Sequence, residues 1–387
     1  MFAFGTFERV DPFSIEVPDD VLADLGDRLA RTRFALATPG DPWMAGTPPT
    51  VLAELVDYWR AGFDWRGRER WLNSFPQYTS VIDGQRLHYV HVPALRDPGS
   101  PPSIPIVVLH GWPYSFVEML PLVPQLTDPV AHGGISIDQF DVVVPSLPGF
   151  VFSEPMRDAP FTSEHVAALV HRLMTTELGY TRFATYGEDI GAAVSDWIAH
   201  AQPDSVIGIH ATHAAYPPDD RRDNLSDAEV AFLRDLDEHW RRETGYSAIQ
   251  STKPDTLAAA LSDSPAGLAA WLIEKFRTWS DCDGDLRRRF SFDDILTTVT
   301  LYWVTNSIGT SFRPYVDNRH DRPVGLVHVP AGISVQVKEA GMPREFVGRT
   351  YLDVRYWNDL PRGGHFTAKE EPALVAADIR QFVRPLR

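Results

Sequence analysis

Cysteine is nearly absent: the 387-residue chain holds one, Cys282, in the polar stretch "SDCDGD". A single thiol excludes an internal disulfide framework and any cysteine-based metal cluster, and this setting reads as incidental rather than nucleophilic. Long apolar runs are missing too. No stretch reaches the roughly 18 apolar residues of a membrane-spanning helix, and "MFAFGTFERVDPFSIEVPDD" lacks the basic start of a secretory signal. Positive charge is scarce, with 36 Lys and Arg against 52 Asp and Glu and a net charge of −16. Without a basic run, neither nucleic acid nor an anionic membrane surface is an expected partner. The expected setting is cytoplasmic, with self-association into a homodimer left open. The serine-hydrolase signature G-x-S-x-G is also missing, which disfavours a serine esterase.

Apolar and aromatic residues are plentiful, at 44% and 11% of the chain. That suffices for one large α/β domain with an insertion, or for two domains. Residues 1–95 read as helices and turns, with "DDVLADLGDRLARTRF" and "PTVLAELVDYWRAGFDW" apolar at helical spacing. "YTSVIDGQRLHYVHVPA" predicts two strands around an Asp-Gly turn. The chain then alternates apolar strands ("SIPIVVLH", "FDVVVPSLPGF", "FATYGED", "SVIGIHATH") with helical stretches. This is the signature of a parallel sheet covered on both faces. From 216 to 320 the pattern turns helical and charged, and strands return with "GLVHVPAGISVQV" and "YLDVRYWND" before a closing amphipathic helix. The expected architecture is a doubly wound sheet over 96–215 and 321–387. A helical cap at 216–320 and an N-terminal extension at 1–95 complete it.

Chemistry concentrates at "FATYGEDIGAAVSDW", a strand, a tight turn and a helix. Gly187 and Gly191 flank Asp189 as small residues flank the nucleophile in a strand-turn-helix elbow. The blander reading is an Asp capping the helix that begins at Ile190. Three features favour the elbow. "LHGWPYSF" follows an apolar strand and can aim the Trp112 N–H beside that of Ile190, making an oxyanion hole, with His110 structural. "LPRGGHFTAKEEP" carries His365 on a glycine-flanked loop, and Glu339 lies just past the preceding strand. The order nucleophile, acid, histidine is that of α/β-hydrolase triads. Glu345, Asp353 and Asp359 are weaker candidates for the acid. Glu188 should point away from the nucleophile.

At these residues the chain resembles the microsomal-type epoxide hydrolases, which include the juvenile hormone epoxide hydrolases and bacterial relatives. The likeness runs nearly end to end, through "YWRAGFDWRGRERWLNSFPQY", "LHGWPYSF", "YGEDIGA", "GYSAIQSTKPDTLAAALSDSPAGLAAWLIEKFRTW", "VPAGISVQVKE" and "RGGHFTAKEEP". It implies an α/β-hydrolase fold, Asp189 as nucleophile, His365 as base and Glu339 as the orienting acid. It also implies that Tyr246 and Tyr315 donate to the epoxide oxygen and that Trp112 and Pro113 touch substrate, with no metal or other cofactor. Spacing alone does not single out those tyrosines, since Tyr302 is an equal candidate. Microsomal relatives carry an N-terminal anchor, whereas this chain is expected to be of the soluble bacterial type.

The implied substrate is a small hydrophobic epoxide. A carboxylate is already ionised and opens such a ring by displacement at carbon, which an uncharged serine does poorly. Two rival readings fit the same residues. One is a haloalkane dehalogenase, which would want a Trp where Ile190 stands. The other is a hydrolase-fold protein that binds hydrophobic ligands without catalysis.

Overall fold

The computed structural model describes residues 10–96, 99, 101–339 and 341–387. Nine strands form one sheet: β1 (Asp11–Phe13), β2 (Gln77–Ile82), β3 (Gln85–Val92), β4 (Ile104–Leu109), β5 (Phe140–Pro145), β6 (Phe183–Gly187), β7 (Val206–Ala211), β8 (Ala331–Val335) and β9 (Val354–Asp359). Their spatial order is β1-β2-β3-β5-β4-β6-β7-β8-β9. The first three run antiparallel, β3 meets β5 antiparallel, and the six from β5 to β9 in space are parallel. β2 and β3 are joined at Asp83-Gly84, with φ of 51° and 78°. Those left-handed values suit the two-residue turn that matches strand twist.

The parallel strands are apolar because both faces are covered. Val107, Val108, Val142, Val143, Ala184 and Ile209 are all fully buried. Helices Ser163–Arg172 and Ile190–Ala201 pack together, while Leu122–Thr127 and Pro372–Val383 pack as a second pair. Gly332 has a structural reason, since a Cβ there would press on His210 and Phe382.

Between β7 and β8 the chain leaves the sheet for a helical segment. It contains Asp227–Glu243, Gly245–Thr252, Pro254–Asp263, Pro265–Trp279, Phe292–Val304 and Arg313–Asp317. The N-terminal helices Asp19–Ala30 and Pro49–Ala61 pack on Pro265–Trp279. Tyr58 Oη donates to Asp293 at 2.8 Å and Arg68 Nε to Thr297 at 2.8 Å. The N-terminal region also contributes edge strand β1, which the sequence reading missed. Three residues are too few to show an alternating pattern. Among the described residues no single helix is long and apolar enough to cross a membrane.

β4 is followed in sequence by β5 on one side of it and by β6 on the other. Beyond the carboxyl ends of strands that diverge in this way, the flanking loops leave a crevice. The residues singled out in the sequence converge there.

Candidate active site

Asp189 sits on the turn between β6 and helix Ile190–Ala201, with φ 51° and ψ −124°. That left-handed φ costs a non-glycine residue about 1–3 kcal/mol, which the surroundings must offset. Glycines let those surroundings close in. A Cβ on Gly187 would meet the Gly191 carbonyl, one on Gly191 the Leu109 carbonyl, and one on Gly111 the Asp189 carboxylate. Asp189 occupies the N-cap position, yet its side chain makes no capping hydrogen bond. The carboxylate is therefore directed elsewhere.

β4 and β6 pair so that Leu109 lies opposite Gly187, and the Glu188 N–H donates to the Leu109 carbonyl at 3.1 Å. That register brings the loop after β4 beside the elbow. Trp112 N–H donates to Asp189 Oδ1 at 2.9 Å. Ile190 opens its helix, so its N–H has no intrahelical acceptor. Trp112 is joined to Pro113 by a cis peptide bond. His110 is structural, being fully buried with Nε2 accepting from the Leu147 N–H at 3.1 Å.

His365 comes from the loop after β9. Its Nδ1 lies 3.0 Å from Glu339 Oε1 and its Nε2 lies 3.6 Å from Asp189 Oδ2. The carboxylate on Nδ1 assigns the proton there and leaves the Nε2 lone pair toward Asp189. Nε2 is buried with no hydrogen-bond partner among the described residues. Burial lowers the basicity of His365, but the Glu339 hydrogen bond and the nearby negative charge outweigh it, so its pKa stands above 6.5. Burial likewise pushes Glu339 up, yet hydrogen bonds from His213 and His365 hold it well below the usual carboxylate range. The competing acids are engaged elsewhere. Glu345 accepts from Ser226, Asp353 pairs with Arg355, and Asp359 accepts from Trp357.

The histidine loop is pinned from below. His365 N–H donates to the Trp279 carbonyl at 2.9 Å, and Gly364 passes so close that a Cβ would stand 2.5 Å from that oxygen. Glu370 accepts from the N–H groups of Gly364 and Phe366 at 3.2 Å each, and of Asp281 at 2.8 Å. Glu188 is fully buried and accepts from Tyr186 Oη at 2.5 Å and the Ala368 N–H at 2.7 Å. It ties the elbow to the segment after His365 instead of facing substrate. Burial pushes both Glu188 and Glu370 up to about 7.

Tyr246 and Tyr315 come from the helical segment, and their rings meet edge-on at 5.7 Å. Tyr246 stacks on Trp112 at 5.2 Å, and Tyr315 meets the same indole edge-on at 5.8 Å. Burial and the Asp189 charge raise both phenol pKa values, so both remain protonated donors. Tyr302, indistinguishable by spacing, is fully buried and spends its hydroxyl on the Tyr114 carbonyl at 3.0 Å. Asp189, Tyr246, Trp279, Glu339 and His365 line one cavity of about 750 Å³.

Sequence reasoning missed His213 and Trp279. His213 Nδ1 accepts the Asp189 N–H at 3.1 Å, and its ring lies 4.6 Å from that of His365. It ends the stretch "IHATH" after β7, and only the β6–β7 pairing makes it a neighbour of Asp189. Trp279 meets the His365 ring at 4.9 Å. Among the described residues, His213, Glu339 and His365 place nitrogen and oxygen atoms within 4.8 Å of one another, a spacing compatible with a metal ion. The Glu339–His365 hydrogen bond already engages two of the three.

Comparison with known proteins identifies the family and the fold. Residues 10–119 match the family described as "Epoxide hydrolase N terminus", and residues 104–284 match "alpha/beta hydrolase fold". Epoxide hydrolase 1 of the rabbit, Oryctolagus cuniculus, is 36% identical over 408 residues, covering 97% of this chain and 89% of the relative. The crystal structure of juvenile hormone epoxide hydrolase from the silkworm Bombyx mori superposes with a TM-score of 0.90 at 27% identity, covering 98% of this chain and 95% of that one. The Aspergillus niger epoxide hydrolase does so with a TM-score of 0.84 at 29% identity, covering 98% and 97%. With a strand-turn-helix elbow on a mostly parallel sheet, and with likeness of this extent to proteins of one kind, the chain belongs to the epoxide hydrolase family of α/β-hydrolases.

Proposed function

We propose that this enzyme converts an epoxide and water to a vicinal diol through a covalent ester on Asp189. The observation that carries the proposal is the placement of the two Asp189 oxygens. Oδ1 is held by the Trp112 N–H at 2.9 Å, while Oδ2 faces His365 Nε2 at 3.6 Å, whose other nitrogen rests on Glu339.

Asp189 attacks a ring carbon, the carbon–oxygen bond breaks, and Tyr246 and Tyr315 donate hydrogen bonds to the departing oxygen, one supplying its proton. Their raised pKa values keep both groups in the donating form. His365 then takes a proton from water, and that water attacks the carbonyl carbon of the ester. Glu339 stabilises the imidazolium, and the N–H groups of Trp112 and Ile190 receive the tetrahedral oxyanion. Collapse expels the ester oxygen, which takes the proton held by His365 and leaves as the diol, while the second proton of the water returns to the tyrosinate and Asp189 is restored as a carboxylate. Residues 216–320 act as a lid that delivers the two tyrosines, with 1–95 as an extension braced against it. The aromatic walls formed by Tyr246 and Trp279 suit a hydrophobic epoxide. No cofactor enters the cycle.

A single turnover in heavy-oxygen water tests the scheme. The new oxygen is expected in Asp189 and not in the first diol released. Label passing directly into that diol would sink the covalent route.

A further inference from the structure

Helix Ile190–Ala201 contributes more than the elbow to the cavity. Asp189, Ala193, Asp196 and Trp197 all line it, a spacing that keeps them on one helical face. Two turns of helix separate Asp189 from Asp196, a rise of roughly 10 Å. Ala193 stands between them and leaves the space open.

Asp196 is 1% exposed, and the proposed chemistry does not use it. Its two oxygens are treated differently. Oδ2 accepts from Tyr351 Oη at 2.8 Å. That donor assignment is secure because Tyr351 Oη itself accepts the Ala215 N–H at 2.7 Å, so the phenol proton goes to Asp196. Oδ1 is buried with no partner among the described residues. Burial pushes the carboxyl up to about 8, against the lowering effect of Tyr351, so at neutral pH the group is an acid rather than an anion. Its proton then belongs on Oδ1, since Oδ2 is occupied as an acceptor. A buried O–H donor without an acceptor is costly and calls for an acceptor from outside the chain.

We propose that Asp196 is a specificity-determining residue, donating from Oδ1 to a carbonyl or ether oxygen carried by the substrate about 10 Å from the ring carbon that Asp189 attacks. This rests on the epoxide-opening reading and narrows its substrate class to long epoxides with a remote, uncharged acceptor. Asp196 touches no reacting atom, so its effect is on selection between substrates.

Three terminal epoxides of equal length test this: an alkane, a ketone with its carbonyl on the order of seven bonds from the ring to match the ~10 Å rise, and an amine at that position. The readout is the ratio of kcat/KM between them in one protein, which cancels general damage to the fold. The wild type is expected to favour the ketone over the alkane by about tenfold, the usual range for one hydrogen bond. Asp196→Asn keeps an acceptor for Tyr351 and a donor for the ketone, and should retain the preference. Asp196→Leu should bring the ratio to near one. A wild-type ratio near one, a preference for the amine, or an unchanged ratio in Asp196→Leu would each overturn the assignment. The same comparison by tryptophan-fluorescence binding, with cyclopropanes replacing the epoxides, separates the two readings. Ketone preference in binding without turnover of any epoxide would refute the reaction and leave the subsite standing.

Discussion

Replacing Glu339 by Gln keeps the shape of the side chain and removes its charge from His365. In the native site the carboxylate lies 3.0 Å from Nδ1, with its side chain 30% exposed. A unit charge pair near a protein surface is worth about 4 kcal/mol at ~4 Å with an effective dielectric near 20. Solvent screening of the exposed part reduces this to about 2–3 kcal/mol. That loss applies only where His365 becomes cationic, during ester hydrolysis. The hydrolytic step should therefore slow by about 30- to 150-fold. Ring opening by Asp189 should change by less than about threefold, because His365 takes no proton in that step. The sign of the pH effect follows from the same contact. Glu339 raises the His365 pKa above 6.5, and His365 must be neutral to act as a base. Glu339→Gln should thus move the acid limb of hydrolysis to lower pH while the plateau falls. Stopped-flow fluorescence from Trp112 and Trp279, with rapid quench of the ester, resolves the two steps in single turnovers. Equal slowing of both steps, or an acid limb moving upward, would refute the assignment of Glu339 to His365.

Other perturbations separate the remaining parts. Tyr246→Phe and Tyr315→Phe should each slow ring opening by about 10- to 1,000-fold with ester hydrolysis little changed, as read by the same pre-steady-state traces. Gly191→Ala forces a Cβ against the Leu109 carbonyl and should displace Asp189 from Trp112, lowering kcat/KM by about 100-fold or more. Glu370→Leu leaves three N–H groups of the histidine loop and its neighbour without their acceptor. Chemical denaturation should show a loss of about 2–4 kcal/mol, and activity should fall through misplacement of His365. Tyr302→Phe strips the Tyr114 carbonyl of a partner and should cost about 1 kcal/mol of stability with kcat nearly unchanged, which would separate it from the other two tyrosines.

Several of these residues were legible in one dimension because the constraints on them are local. Two glycines around Asp189 announce a turn that only small neighbours allow, and two more before His365 announce a backbone that bends under Trp279. The Asp-Gly hairpin and the apolar parallel strands are likewise local, set by the sign of φ and by burial on both faces. Tyr246 and Tyr315 could be named only through the resemblance. Helical spacing says that a tyrosine faces inward and not whether its hydroxyl meets a carbonyl, as in Tyr302, or an open cavity.

What the sequence determined by itself was the set of candidate groups: a carboxylate on an elbow, a glycine-flanked histidine, an acid after the preceding strand, and an alternation that folds into a parallel sheet. These follow from short-range sterics and from the period of burial, which neighbouring residues encode. Only the tertiary structure decided which atoms meet. His213 under the Asp189 N–H, Glu370 beneath the His365 loop, and Tyr351 on the Asp196 carboxyl depend on strand order and on long closures of the chain. A hydrogen bond spanning 180 residues, such as that between the Ala368 N–H and Glu188, leaves no periodic trace in sequence because its partners share only a place in space.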